Sequence, residues 1–165
     1  MKDVLVSTRH LARRGDRWEE GIFTGEEMQL SYRHSAYSDT DMVITGATVR
    51  LKKGDPDQIR AQMDDYMSRR RSKQPLELPS AGSTFKRPKG NYASALVDQC
   101  GLKGLRVGDA MVSEKHAGFV VNVGNATCAD VLELIQRIQE TVEQKTGYRL
   151  EPEVRLIGFA HNGVR

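Results

Sequence analysis

The sequence predicts an α+β protein in which a β-α-β-β-α-β unit follows a partial antiparallel sheet. Three observations carry this prediction. Apolar and polar residues alternate over residues 2–11, 17–23 and 42–51, the pattern of strands covered on one face. Val131, Leu134, Ile135, Ile138 and Val142 recur at helical spacing, a stripe that has to lie against a sheet. Between them, residues 75–82 are rich in Pro, Ser and Gly and separate two different rhythms.

The first two strands are joined by Arg14-Gly15-Asp16 and form a hairpin. Thr24-Gly25-Glu26-Glu27 fits a capping box, so a short helix is expected through about Leu30. Residues 31–41 have no period, and the strand at 42–51 follows. Asp55-Pro56-Asp57-Gln58 supplies a cap, a first-turn proline and acids at the positive end of a helix dipole. That helix carries Ile59, Met63, Tyr66 and Met67 at helical spacing and ends in Arg69-Arg70-Arg71. The methionines, Met28, Met63 and Met67 among them, read as core filler.

In the second half the expected elements are a strand at 84–86, a helix at 91–99 closed by Gly101, and strands at 105–112 and 118–123. Thr127-Cys128-Ala129-Asp130 caps the longest helix, which stops at Gly147, and a last strand is expected at 154–157. The resulting order is the split β-α-β arrangement. Three strands and two helices make a poor closed core for the first half, so residues 1–78 read as part of a larger sheet domain, residues 79–159 as a second domain and 160–165 as a polar tail.

At 165 residues, with 38% hydrophobic and 28% charged residues, the composition is that of a globular protein. It contains no apolar run long enough for a membrane span and no signal-peptide pattern, so a cytoplasmic location without membrane contact is expected. A net charge of +3 points to a small anionic ligand, not a polyanion, and the strands lack the aromatics that stack on RNA, so no nucleic-acid partner is expected. Cys100 and Cys128 lack metal-ligand or redox spacing and read as reduced packing residues; no metal site is expected.

Two stretches carry chemistry. Pro79-Ser80-Ala81-Gly82-Ser83-Thr84-Phe85-Lys86-Arg87-Pro88 presents an alcohol and two cations on a Gly/Pro-bounded turn. Downstream, Glu151-Pro152-Glu153-Val154-Arg155 alternates acids and a guanidinium with apolar residues. Read alone, Ser83 would be a turn-stabilising hydroxyl, Glu153 a surface carboxylate and His116 a structural histidine.

Together with Tyr32-Arg33-His34-Ser35, Gln74-Pro75-Leu76-Glu77, Gly101-Leu102-Lys103-Gly104, Val112-Ser113-Glu114-Lys115-His116-Ala117-Gly118-Phe119 and Asn125-Ala126-Thr127, these stretches resemble the C-terminal half of the UDP-N-acetylenolpyruvoylglucosamine reductase (MurB) family. The resemblance implies an NADPH- and FAD-dependent flavoprotein of peptidoglycan precursor synthesis, hence of cell-wall biogenesis. Such an enzyme reduces UDP-N-acetylglucosamine enolpyruvate to UDP-N-acetylmuramate. It implies that residues 79–159 bind substrate and residues 1–78 belong to an FAD-binding domain. It implies Ser83 as proton donor, with Arg33 holding and Glu153 polarising the enolpyruvyl carboxylate; Tyr32, Lys73, Gln74, Arg87 and His116 as substrate contacts; and Arg155 as a flavin-side contact. A bidentate guanidinium suits a carboxylate, and a serine can donate only to a strongly basic carbon.

No glycine-rich phosphate loop occurs, and Met1 coincides with a methionine that is internal in such proteins. The chain therefore reads as an incomplete piece of the enzyme, inactive or nearly so alone, with an N-terminal flavin-binding lobe as its missing partner. The alternative is a non-enzymatic module that binds a UDP-sugar or a partner. Asp109 after Gly108 and the Ser94-Ala95 pair depart from the family pattern.

Overall fold

The structure, a computed structural model, describes residues 1–158. The expected tail at 160–165 lies outside them. Contacts divide the chain into two compact units, Met1–Ile59 and Arg60–Arg165. The division falls inside a helix and not in the Pro/Ser/Gly-rich stretch.

The first unit is a three-stranded antiparallel sheet of order β2-β1-β3, formed by β1 (Leu5–Arg14), β2 (Arg17–Thr24) and β3 (Val43–Val49). Gly15, at φ 60°, makes the hairpin turn between β1 and β2. After β2 the amide of Thr24 donates to Glu27 Oε2 (2.9 Å), as the capping box predicts. The helix it starts is shorter than expected, a single 3₁₀ turn over Gly25–Met28, because Gln29 turns left-handed at φ 47°. Met28 is buried, in keeping with its reading as core filler.

α1 (Pro56–Lys73) forms where the cap and proline predict it, with Asp55 accepting from the amides of Asp57 and Gln58. Its expected apolar stripe is not core. Ile59, Met63, Tyr66 and Met67 are between 46% and 65% exposed, and no α1 residue is buried. Spacing fixed the helix, but burial needs a partner surface.

The second unit holds a four-stranded antiparallel sheet of order β4-β7-β6-β5, built from β4 (Ser80–Ser83), β5 (Arg106–Val107), β6 (Ala110–Val112) and β7 (Phe119–Asn122). α2 (Ala93–Gln99) and α3 (Cys128–Thr146) complete it. α3 buries Leu134, Ile135, Ile138 and Val142, the stripe read from the sequence, against Leu96 and Val97 of α2, Val112 and Val120 of the sheet, and Leu150. Thr127 and Asp130 form the expected capping box and Gly147, at φ 73°, closes the helix. Cys100 is buried at the end of α2 and Cys128 is exposed; both are free thiols.

Two expectations are corrected in this unit. The single strand at 105–112 is a tight hairpin instead, turned by Gly108 at φ 54°. Asp109, the departure from the family pattern, secures that turn. Its carboxylate accepts from Arg106 (2.9 Å) and from the Asn125 amide (2.8 Å). The last strand at 154–157 does not form. In its place one antiparallel bridge pairs Phe85 with Pro152, closed by Lys86 N–H to Glu151 carbonyl and Glu153 N–H to Thr84 carbonyl, both 2.8 Å. The Thr84 amide is already given to the Gly118 carbonyl and cannot complete the next pair with Glu153, so the ladder stays one bridge long, and Leu156 and Ile157 then run exposed. The strand expected at 84–86 lies earlier, as β4 (Ser80–Ser83) inside the stretch read as a linker, and of 84–86 only Phe85 pairs, in this bridge.

Two outcomes test this packing. Ile138→Ala, at a position 1% exposed, is expected to lower stability by about 2–5 kcal/mol in urea melts. Hydrogen bonds from the Thr127 amide and then the Thr127 hydroxyl hold the Asp130 carboxyl below its ordinary value. Its contribution is therefore present above ~pH 4 and is lost as pH falls further. Asp130→Asn should flatten that acid limb of the stability profile.

Candidate functional site

Ser83 is displayed by a bulge. β4 pairs with β7 through Ser80 with Val121 and Ser83 with Phe119, so β4 spends one residue more than its partner between these two pairs. Gly82 takes the extra turn at φ 86°, a conformation a side chain would strain, in otherwise open space. The consequence is a reversal of faces: Ser83 is exposed and Thr84 is buried.

Thr84 then ties three segments together. Its amide donates to the Gly118 carbonyl (2.8 Å), its hydroxyl accepts from the Val120 amide (3.0 Å), and its carbonyl accepts from the Glu153 amide (2.8 Å). Glu153 is thereby set beside the residue that follows Ser83. Lys86 and Glu151 reinforce the junction with an exposed ion pair at 3.0 Å.

His116 joins the same neighbourhood from the β6–β7 connection. Its Nδ1 accepts from the Gly118 amide (3.1 Å), which puts the neutral ring's proton on Nε2. The ring packs edge-on to Phe119, the residue opposite Ser83, with centroids 5.0 Å apart. His116 thus has a structural bond on one nitrogen and a donor on the other. Ser83, Glu153 and His116 are the expected site residues that the second unit places on adjoining segments, through Phe119 and Thr84.

The others are placed separately. Arg87 is exposed, its guanidinium 3.9 Å from the Tyr92 ring centroid. Lys73 ends α1, and Gln74 follows it and accepts from Arg70 Nε (3.0 Å). Arg155 is exposed. Tyr32 and Arg33 lie in the first unit, both exposed, with Arg33 at φ 57° and its guanidinium 5.6 Å from the Tyr32 ring centroid. A non-glycine residue held left-handed is the kind of strain that accompanies function.

A cavity of about 380 Å³ lies between β4, β7, α3 and Val154, lined by Ala81, Thr84, Val121, Val131 and Ile135 among others. Its lining is mostly apolar, with Ser80, Thr84 and Asn122 as the polar residues. Sequence reasoning missed Thr84, although it sits within the quoted motif. The available signal was its β-branched hydroxyl between an exposed serine and an apolar Phe85.

Fold and site define an α+β protein that exposes a serine on an edge strand, with a half-buried carboxylate and a half-buried imidazole on the segments adjoining it. The comparisons name the class. The model for the UDP-N-acetylenolpyruvoylglucosamine reductase C-terminal domain matches residues 74–157, and the chain belongs to that family. Among relatives of that name, the Exiguobacterium sibiricum protein is 46% identical over 96% of this chain and 51% of its own length. The Agathobacter rectalis protein is 49% identical over 96% and 49%. The crystal structure of the Thermus caldophilus reductase (MurB) superposes with a TM-score of 0.75 at 33% identity, over 93% of this chain and 53% of that one. The chain spans about half the length of these relatives.

Two turn glycines of the second unit, Gly104 and Gly108, do not fit a flavin pyrophosphate. The space above Gly104 is taken by Glu114 and that above Gly108 by Asp130, so these glycines face carboxylates.

Thr84→Val keeps the shape and removes the hydroxyl, leaving the Val120 amide buried without its acceptor. A stability loss of about 1–3 kcal/mol is expected by urea denaturation.

Proposed function

We propose that this chain carries the substrate-side residues of an NADPH- and FAD-dependent reductase that converts UDP-N-acetylglucosamine enolpyruvate to UDP-N-acetylmuramate in peptidoglycan precursor synthesis. The observation that carries the reading is the exposed Ser83 on its glycine bulge, with Glu153 fixed alongside through Thr84. Family membership supports it. The proposal assigns FAD and NADPH to the part of the relatives that this chain does not span, with Arg155 as a flavin-side contact. Residues 1–78 belong in this reading to the flavin domain and 79–159 to the substrate domain.

Reduction of the enolpyruvyl double bond places a hydride on one carbon and a proton on the other. The part of this chain is the proton and the carboxylate. Ser83 Oγ–H donates to the carbon that has become basic; its low acidity is tolerable because that carbon carries the charge, and positioning supplies much of the rate. Arg33 holds the carboxylate in a two-point grip, and Glu153 polarises it as charge accumulates. Lys73, Gln74, Arg87, Tyr32 and His116 supply polar and stacking contacts to the nucleotide sugar, with the His116 Nε2–H as a donor.

Titrating the purified chain with UDP-N-acetylglucosamine enolpyruvate tests the reading. Binding is expected, weakened about tenfold or more by Arg87→Ala, the loss of one charge-assisted contact. Ser83→Ala should leave affinity within about twofold, since a proton donor acts after binding. The purified chain should show no flavin absorbance. Tightly bound FAD with NADPH turnover would overturn the assignment of the flavin to the remaining part.

A further inference from the structure

All non-glycine residues with positive φ among the described residues fall in one loop of the first unit: Gln29, Arg33 and Asp39, at 47°, 57° and 60°. Such conformations persist only where surroundings over-determine them. The loop has no period in its sequence, so the restraint has to come from its own backbone bonds and from side chains that tie it to the sheet.

Tyr37 supplies the tie. Thr8 and His10 alternate on one face of β1, 6% and 5% exposed, and the Tyr37 hydroxyl lies between them, 2.6 Å from Thr8 Oγ1 and 3.0 Å from His10 Nδ1. One hydroxyl can donate to one and accept from the other in either histidine tautomer. Phe23 closes the pocket, its ring centroid 4.4 Å from His10 and 5.4 Å from Tyr37. Gly21 stands opposite His10 in the ladder, and a Cβ there would come within 2.5 Å of Nε2. Phe23 and Tyr37 fix the imidazole, so a side chain at 21 is not accommodated cheaply.

From this anchor the restraint runs along the loop. The Tyr37 amide donates to Ser35 Oγ (3.3 Å), the Ser35 amide to Ser38 Oγ (3.0 Å) and the Ala36 amide to the Met28 carbonyl (2.9 Å). Ser31 and His34 exchange amide-to-carbonyl bonds across Tyr32 and Arg33. Arg33 is thus displayed at the tip of a small turn whose base is bolted to the sheet.

We propose that Tyr37, with Thr8 and His10, is a positioning residue for Arg33, fixing the left-handed turn that aims its guanidinium at the substrate carboxylate. The inference rests on the reading of Arg33 given above. It adds residues that act through Arg33 and touch no substrate.

The test compares affinities of the chain for UDP-N-acetylglucosamine enolpyruvate and for UDP-N-acetylglucosamine, which lacks the carboxylate. Their ratio reads the contacts made to the enolpyruvyl carboxylate, and Arg33→Ala gives the share of it that belongs to Arg33; a general loss of folded protein leaves it unchanged. Arg33→Ala should bring the ratio close to one. Tyr37→Phe and the isosteric Thr8→Val should lower it several-fold, and Thr8→Ser, which keeps the hydroxyl, should restore it. In parallel, tryptic cleavage after Arg33 relative to cleavage after Arg14 should rise several-fold in Tyr37→Phe and Gly21→Ala. A ratio lost in Arg33→Ala but kept in Tyr37→Phe overturns the positioning role while sparing the functional reading. A wild-type ratio of one overturns the carboxylate role of Arg33 and this inference with it.

Discussion

The second unit depends on the hydrogen bonds of Thr84. A residue 3% exposed has no water to replace a lost partner, so its amide, hydroxyl and carbonyl must each be satisfied from within. They are satisfied by Gly118, Val120 and Glu153, which belong to segments more than thirty residues away in either case. Threonine is suited to the position because its branched side chain offers a hydroxyl to the ladder and apolar surface to the adjoining cavity. The placing of Ser83, His116 and Glu153 relative to one another follows from this one residue.

The two units hold their expected functional residues by opposite means. At Ser83 the irregular conformation is given to a glycine, so the bulge costs little and the serine itself keeps strand geometry. At Arg33 the functional residue itself is left-handed, and no glycine relieves it. Conformational strain of this kind costs about 1–3 kcal/mol and must be held by contacts elsewhere. A half-buried tyrosine bonded to a buried histidine and threonine is the counterweight, because a buried polar group is expensive to leave unpaired.

Much of the second unit was legible in its sequence. The stripe on α3 and its capping box depend on neighbours three or four residues apart, and local spacing records such relationships. α1 shows the limit, since Ile59, Met63, Tyr66 and Met67 have the same spacing as a core stripe and are exposed. The 154–157 segment shows another: its alternation is that of a strand, but pairing stops after the one Phe85–Pro152 bridge because the Thr84 amide is already given to Gly118. The candidate site was legible as residue types through family resemblance. Its geometry was not, because the bulge register, the bonds of Thr84 and the Thr8–Tyr37–His10 chain each join residues distant in sequence.

The N-terminus of α3 bears on the proposed nucleotide contacts of the second unit, because its helix dipole is not open to an anion. A helix N-terminus preceded by glycines is a ready phosphate site when its amides point outward. Here Asp130 turns back onto the Thr127 amide at 2.7 Å and hydroxyl at 2.8 Å, and it also fills the space over Gly108. The positive end of the dipole is thus occupied by the helix's own carboxylate, which is charged at neutral pH. A phosphate brought there would meet a fixed negative charge. The exposed guanidinium of Arg87, stacked on Tyr92 and so held without an ion-pair partner having to be displaced from the ring, is the better recipient for a nucleotide phosphate.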